Sequence, residues 1–286
     1  MTSAHLPYYL GCPSWSDPAW RGRLYPAEST AADALRLYAT TFNAVEGNTT
    51  FYARPAESTV ERWAREMPEH FRFTAKFPRD ISHEGDLATQ VEAAEAFLRL
   101  LAPLGPRVST VWLQLSASFS PARLGELAVF IEALGRPVSV EVRHPAFFAR
   151  GEEERALNRL LLSTGTERIC LDPRALFSVT STDPRIVHAQ EKKPHVPPRP
   201  AAFTHHPQVR IIGLPNVEDN EPFLDPWVEK VATWIEAGKC PYVFLHTADN
   251  LDAPAFAQRF HARLMARLPG MPALTEPEPS AQMGLL

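Results

Sequence analysis

Glu46, Lys76, Glu141, Arg143, Arg210 and His246 each stand near the end of a short stretch in which polar and apolar residues alternate. In residues 43–52, Ala44, Glu46 and Asn48 fall on one strand face and Val45 and Gly47 on the other, because successive strand side chains point to opposite faces. Residues 138–144 repeat the inversion, with Ser139, Glu141 and Arg143 opposite the valines, and residues 71–77 set Arg72, Thr74 and Lys76 against phenylalanines. Such residues support three chemistries. Glu46 and Glu141 could act as a general acid and base, provided they come within the ~5–9 Å that glycoside hydrolysis requires. Glu46, Glu141, Asp172 and His246 could ligate a divalent metal through hard oxygens and one imidazole. No H-x-H or H-E-x-x-H spacing accompanies them and nearby cations oppose a metal, so no metal site is expected. Lys76, Arg143 and Arg210 could clamp an anion through charge-assisted bonds, and this use of the cations is favoured. The bland counterpart of all three is an ion-pair plug that only fills space.

These side chains need a frame. Strand-like stretches recur at residues 8–12, 43–52, 71–77, 108–115, 138–144, 168–172, 209–213 and 242–246, with helical periodicity between most of them. Helices are predicted over residues 31–42, 59–66, 86–101, 121–135, 152–164, 225–238 and 253–268. Ser58 and Glu61 have capping-box spacing, Ser120-Pro121 and Asp225-Pro226 read as starts, and Gly135 and Gly238 read as stops. From Pro173 to Gln208 no long helix is expected, and the stretch reads as a Pro- and His-rich surface excursion. Eight alternating strands predict an α/β fold, a single (β/α)8 TIM-type barrel irregular between its sixth and seventh strands. The open doubly wound sheet lacks its G-x-G-x-x-G after the first strand. One domain over residues 1–268 is expected, followed by a mobile Pro-rich tail over 269–286.

Composition narrows the classes of function. The 286 residues are 45% hydrophobic and 22% charged, enough for a sizeable core. A net charge of −4 leaves no global basic surface, so nucleic acid would need a local patch, for which Arg21, Arg23, Arg54, Arg79, Lys192, Lys193 and Arg199 are the candidates. Three dispersed cysteines argue against a disulfide framework and for a reducing cytoplasm. Cys12 and Cys170 read as small core residues facing the barrel interior below the polar layer. No apolar run approaches the ~18 residues that span a bilayer, and no secretory signal is evident at the start.

Several segments carry a resemblance. Gly11-Cys12-Pro13-Ser14-Trp15, Val45 to Tyr52, Phe73-Thr74-Ala75-Lys76 with Ile81-Ser82-His83, Leu113-Gln114-Leu115, Val140 to His144, and Asp249-Asn250 resemble the DUF72 (YecE-like) family across nearly the whole chain. The resemblance implies a TIM-type barrel and no assigned activity or cofactor. Two departures stand out. The family's Arg-x-His-Gly in strand seven is Arg210-Ile211-Ile212-Gly213, and its Asn-Asn after strand eight is replaced within His246-Thr247-Ala248-Asp249-Asn250. The imidazole missing from strand seven could be supplied by His246.

In a parallel barrel, inward residues at the C-terminal strand ends face the usual active-site mouth. Glu46, Glu141, Lys76 and His246 are thus the catalytic candidates. Asn48, Tyr52, Trp15, Gln114, Arg143, Arg210, Asp172 and Asn250 are the binding candidates, with Trp15, Trp20, Phe51 and Tyr52 as cleft walls. The expected reading is a cytoplasmic enzyme acting on a small polar or anionic substrate, of undetermined oligomeric state. A nucleic-acid-binding barrel and a non-catalytic scaffold are the alternatives.

Overall fold

The computed structural model describes residues 5–108 and 110–275. Short stretches rich in β-branched and aromatic residues become strands: β1 (Tyr9–Gly11), β2 (Ala44–Gly47), β3 (Arg72–Lys76), β4 (Val111–Gln114), β5 (Val138–Glu141), β6 (Glu167–Arg168), β7 (Cys170–Asp172), β8 (Gln208–Ile212) and β9 (Tyr242–His246). Every pairing among them is parallel. The order is β2-β3-β4-β5-β6 in one sheet and β1-β9-β8-β7 in the other. The sixth expected strand is therefore two, broken at Ile169, whose N–H donates to the Val140 carbonyl at 2.9 Å while Cys170–Asp172 pair with β8. On the other side, the Glu46 N–H donates to the Cys12 carbonyl at 3.0 Å. The alternating α/β architecture with parallel sheets is as predicted.

The strand faces divide the interior into two zones. Phe73 points outward against Trp15 and Trp63, and Phe77 against Phe97 and Phe130. Inside, Ala44, Trp112, Ile169, Tyr242 and Phe244 form a smaller apolar layer. Gly11 is required there, because a Cβ at that position would stand 2.0 Å from the Ala44 carbonyl oxygen.

Helix boundaries depart from the sequence reading in instructive ways. Ser58 caps nothing: the helix is Glu57–Glu66, with Ala56 before it. Asp225-Pro226 is interior to Glu221–Glu236, whose first turn holds Glu221 and Pro222 instead. Gly135 does end Leu124–Leu134, in the left-handed region at φ 55. The stretch from Pro173 to Gln208 holds a helix after all, Pro184–Lys192, capped by the Asp183 side chain on the Arg185 N–H. The last helix is Ala253–Arg267. Beyond it Met271 and Leu274 lie against the core, and the Pro272 carbonyl meets His261 Nε2 at 3.0 Å. Residues 276–286 of the expected tail lie outside the described residues.

Candidate anion site at the C-terminal ends of the strands

Glu46 closes the inward face of β2 and is completely buried. Its carboxylate meets four donors. Arg210 of β8 reaches across with Nη2 at 2.7 Å from Oε1 and Nε at 3.0 Å from Oε2. Lys76 Nζ of β3 lies 2.9 Å from Oε1, and His246 Nε2 of β9 lies 2.7 Å from Oε2. A carboxylate offers about four lone-pair sites, so Glu46 is saturated. Because a carboxylate only accepts, His246 must donate from Nε2.

Glu141 of β5 repeats the arrangement beside it. Arg210 Nη1 stands 2.5 Å from Oε2, and Arg143 approaches Oε1 with Nε at 2.8 Å and Nη2 at 2.7 Å. Arg210 thus bridges the two glutamates while its guanidinium lies 5.6 Å over the Trp112 ring, with Lys76 5.3 Å from the same ring. Lys76 also donates to Gln114 Oε1 at 3.2 Å, and its backbone is clasped by the Thr50 hydroxyl.

Electrostatics follow from this geometry. Burial pushes the Glu46 carboxyl up, but Arg210, Lys76 and His246 outweigh it and hold it well below the usual range. Glu141 behaves alike, with burial overcome by Arg210, Arg143 and Lys76. Both carboxylates stay ionised at neutral pH, so neither carries the proton that a general acid must donate. The acid–base pair considered from the sequence is not what these two offer. Metal ligation by the set is opposed as well, because the lone pairs are taken and Asp172 is elsewhere. Burial and Arg210 lower Lys76 to about 8, and burial lowers His246 to about 4 despite Glu46.

Above this ionic floor opens a cavity of about 610 Å³. Lys76, Arg79, Arg143, Lys192, Lys193 and Arg210 line it, together with His83, His188 and His246, and no Asp or Glu is among the lining residues. Asn48, Gln114, Phe51 and Tyr52 complete the wall, Tyr52 being 81% exposed at the lip. Asn48 Nδ2 donates to the Pro13 carbonyl, and Asn250 adopts a left-handed φ of 63, a region that asparagine tolerates better than most residues. Of the candidates named from the sequence, Asn48, Tyr52, Lys76, Gln114, Arg143, Arg210, His246 and Asn250 meet at the cavity, with Glu46 and Glu141 directly beneath.

Three expectations need correction. Asp172 is turned to the helix layer, where Trp227 Nε1 donates to Oδ2 at 2.6 Å and Arg174 grips both oxygens. The register explains it: Leu171, not Asp172, stands beside Arg210. Trp15 is no cleft wall but packs edge-on against Trp63 and Phe73, and Trp20 stacks near Tyr38 with its indole N–H on the Asn250 carbonyl. Cys12 and Cys170 likewise face the outer core, and burial raises both thiols, Cys170 to about 12. The basic residues considered for a nucleic-acid patch are divided, Arg21 aside, between ion pairs and the cavity. Arg23 pairs with Asp252, Arg54 with Asp80 and Arg199 with Glu154, leaving Arg79, Lys192 and Lys193 at the cavity.

The site candidates named from the sequence omit Arg79, His188, Lys192 and Lys193, and His83 enters only through the family resemblance. The available signal was Asp183-Pro184, a cap followed by a first-turn proline, which starts a helix placing His188 and Lys192 four residues apart on one face. The absent strand-seven histidine also finds an account. Ile212 occupies that position in register with His246, so an imidazole stands at the same level one strand over.

Among the described residues no helix is long and apolar enough to cross a membrane. The model of the family described as "Protein of unknown function DUF72" matches residues 9–283. The UPF0759 protein YecE of Escherichia coli K12 is 38% identical over 268 residues, 93% of this chain and 96% of that protein. The UPF0759 protein YunF of Bacillus subtilis is 32% identical over 68 residues, 24% of this chain and 23% of that protein. The crystal structure of a DUF72 family protein from Thermotoga maritima superposes with a TM-score of 0.68 at 24% identity, covering 91% of this chain and 99% of that one. One from Enterococcus faecalis gives 0.65 at 18% identity, covering 91% and 94%.

Proposed function

This chain belongs to the DUF72 family, and we propose that it is an enzyme acting on a small, multiply charged anion at the C-terminal ends of its strands. One observation carries the reading: a cavity lined by Lys and Arg with no carboxylate on its wall. Single-signed walls of low dielectric focus a field that concentrates an oppositely charged ligand. In this reading Glu46 and Glu141 do not touch the substrate. They hold Arg210, Lys76 and Arg143 in fixed orientation, so that little reorganisation is needed when an anion arrives. His246, lowered to about 4 and hence neutral, spends its Nε2–H on Glu46 and helps to hold that carboxylate in place. The fold that supports this site is read as one (β/α)8 barrel, with seams at Ile169 and between Cys12 and Glu46.

The test is thermal unfolding with inorganic phosphate or pyrophosphate, since a ligand that binds only the folded state stabilises it by mass action. Both anions should raise the melting temperature, pyrophosphate the more. Arg143→Ala should lose most of the rise while staying folded. Equal shifts in wild type and variant would place the anion on the general surface and sink the reading.

A further inference from the structure

The cavity contains a cation that the ionic floor does not explain. Lys193 follows the helix Pro184–Lys192 as its C-terminal cap, with its N–H on the Ala189 carbonyl at 2.9 Å. That anchor fixes the backbone and directs the half-buried side chain into the cavity wall. The other interior lysine, Lys76, is tied to Glu46 and Gln114. Lys193 has no ion-pair or hydrogen-bond partner among the described residues. The groups that face it are mainly cationic: Arg210, Lys76 and Arg143 act on it from the strands, with Glu46 below and His246 alongside, and Lys192 and His188 come from its own helix.

We propose that Lys193 is a nucleophilic amine that forms an imine with an aldehyde or ketone bearing a phosphate or carboxylate group. The proposal rests on the anionic reading of the cavity and adds the reactive group and the substrate class. Amines beside other cations lose their proton readily and become nucleophiles. Burial and then Arg210 push Lys193 down to about 7, in keeping with that placement. The substrate's anionic group would meet Arg143 and Arg210, leaving its carbonyl carbon to the amine. The nitrogen lone pair attacks that carbon, and the carbonyl oxygen takes up a proton. The nitrogen then gives up its proton, and the hydroxyl leaves as water with a second proton from solvent, so that a C=N bond replaces C=O.

Cyanoborohydride delivers hydride to such an imine and makes the link permanent. The protein is incubated at pH 7 with cyanoborohydride and either glyoxylate or glycolaldehyde phosphate, with propionaldehyde as the uncharged control. Peptides covering Lys76, Lys192, Lys193, Lys230 and Lys239 are then mapped by mass spectrometry. Lys193 should be labelled first, by the charged aldehydes well before the uncharged one, and pyrophosphate should suppress it. Whichever charged aldehyde labels faster identifies the anionic group preferred. Lys193→Arg should abolish the adduct yet keep the phosphate-induced rise in melting temperature. Labelling spread evenly over the lysines, equal labelling by propionaldehyde, or none at Lys193 overturns the proposal. If phosphate still stabilises the protein in that event, the anionic cavity stands and only the lysine's role falls. If phosphate has no effect either, both fall.

Discussion

Two ionic clusters buried among the described residues differ in what is left over. Behind β6, between the strands and the helix Glu152–Ser163, Glu154 accepts from Arg168 at 3.2 Å, Arg199 at 2.7 Å and the Arg150 N–H at 2.8 Å. Arg168 spends its remaining donors on Asn158 and the Phe147 carbonyl, and Arg199 on the Phe148 carbonyl. That cluster is closed: its cations end on protein acceptors. At the mouth, Glu46 and Glu141 are equally well supplied, but the surplus is cationic and faces a cavity. Paired buried charge by itself says little about function. A surplus of one sign next to open volume says more.

The sharpest test of that contrast pairs Glu46→Gln with Glu154→Gln. Each leaves buried cations facing a neutral amide, and removing one buried partner typically costs ~3–5 kcal/mol. Denaturant unfolding at neutral pH should show losses of that order in both. Their response to phosphate should then diverge. Glu46→Gln releases Arg210 and Lys76 toward the cavity, so phosphate should stabilise it more than wild type, whereas Glu154→Gln should respond as wild type does. Identical phosphate responses in the two variants would erase the distinction.

A slightly smaller effect should come from pH. His246 is held at about 4 in the folded protein, against the ordinary 6.5. Between those values the unfolded chain binds more protons, so stability falls as pH drops from 6.5 toward 4, by about 3 kcal/mol in all. Below about 4.5, Glu46, whose carboxyl is depressed, adds a further loss in the same direction. His83, also lowered to about 4 by burial and by Arg143 and Arg79, contributes in the upper window. Urea midpoints at pH 7, 5.5 and 4.5 for wild type and His246→Asn measure the share of His246. An undiminished slope in the variant would remove His246 as its source.

The smallest expected change in stability is that of Arg143→Ala. Its side chain is 17% exposed, and Glu141 keeps Arg210 when it is lost. About 1 kcal/mol is expected, near the upper end for partly solvated pairs. A loss above ~3 kcal/mol would mean that Arg143 belongs to the closed kind of cluster after all.

Much of the mouth was legible because Glu46, Lys76, Glu141 and Arg210 break the apolar rule on strands whose other face is plainly hydrophobic. Asp172 was misplaced where that contrast fails. In residues 168–172 the polar face carries Arg168, Cys170 and Asp172, and it is the outer one, matched by Glu154 and Trp227 from distant helices. No local pattern announces such partners. Trp15 and Trp20 posed the same problem, because the rings that cover them come from Trp63, Phe73 and Tyr38. The helix Pro184–Lys192 was legible at its start, but the prolines after Lys193 drew the reading toward irregular structure.

The Trp112 ring has a consequence of an optical kind. Trp15, Trp20, Trp63, Trp227 and Trp234 are sealed in the outer core, remote in kind from any ligand. Trp112 alone of the six lies in the inner layer, with Lys76 and Arg210 over its ring and its Nε1–H buried without a partner. The energy of an indole's excited state follows the charge beside it. An anion bound above Lys76 and Arg210 would offset their charge at this ring more than at the tryptophans of the outer core, so the chain carries its own fluorescent gauge of cavity occupancy beneath the floor.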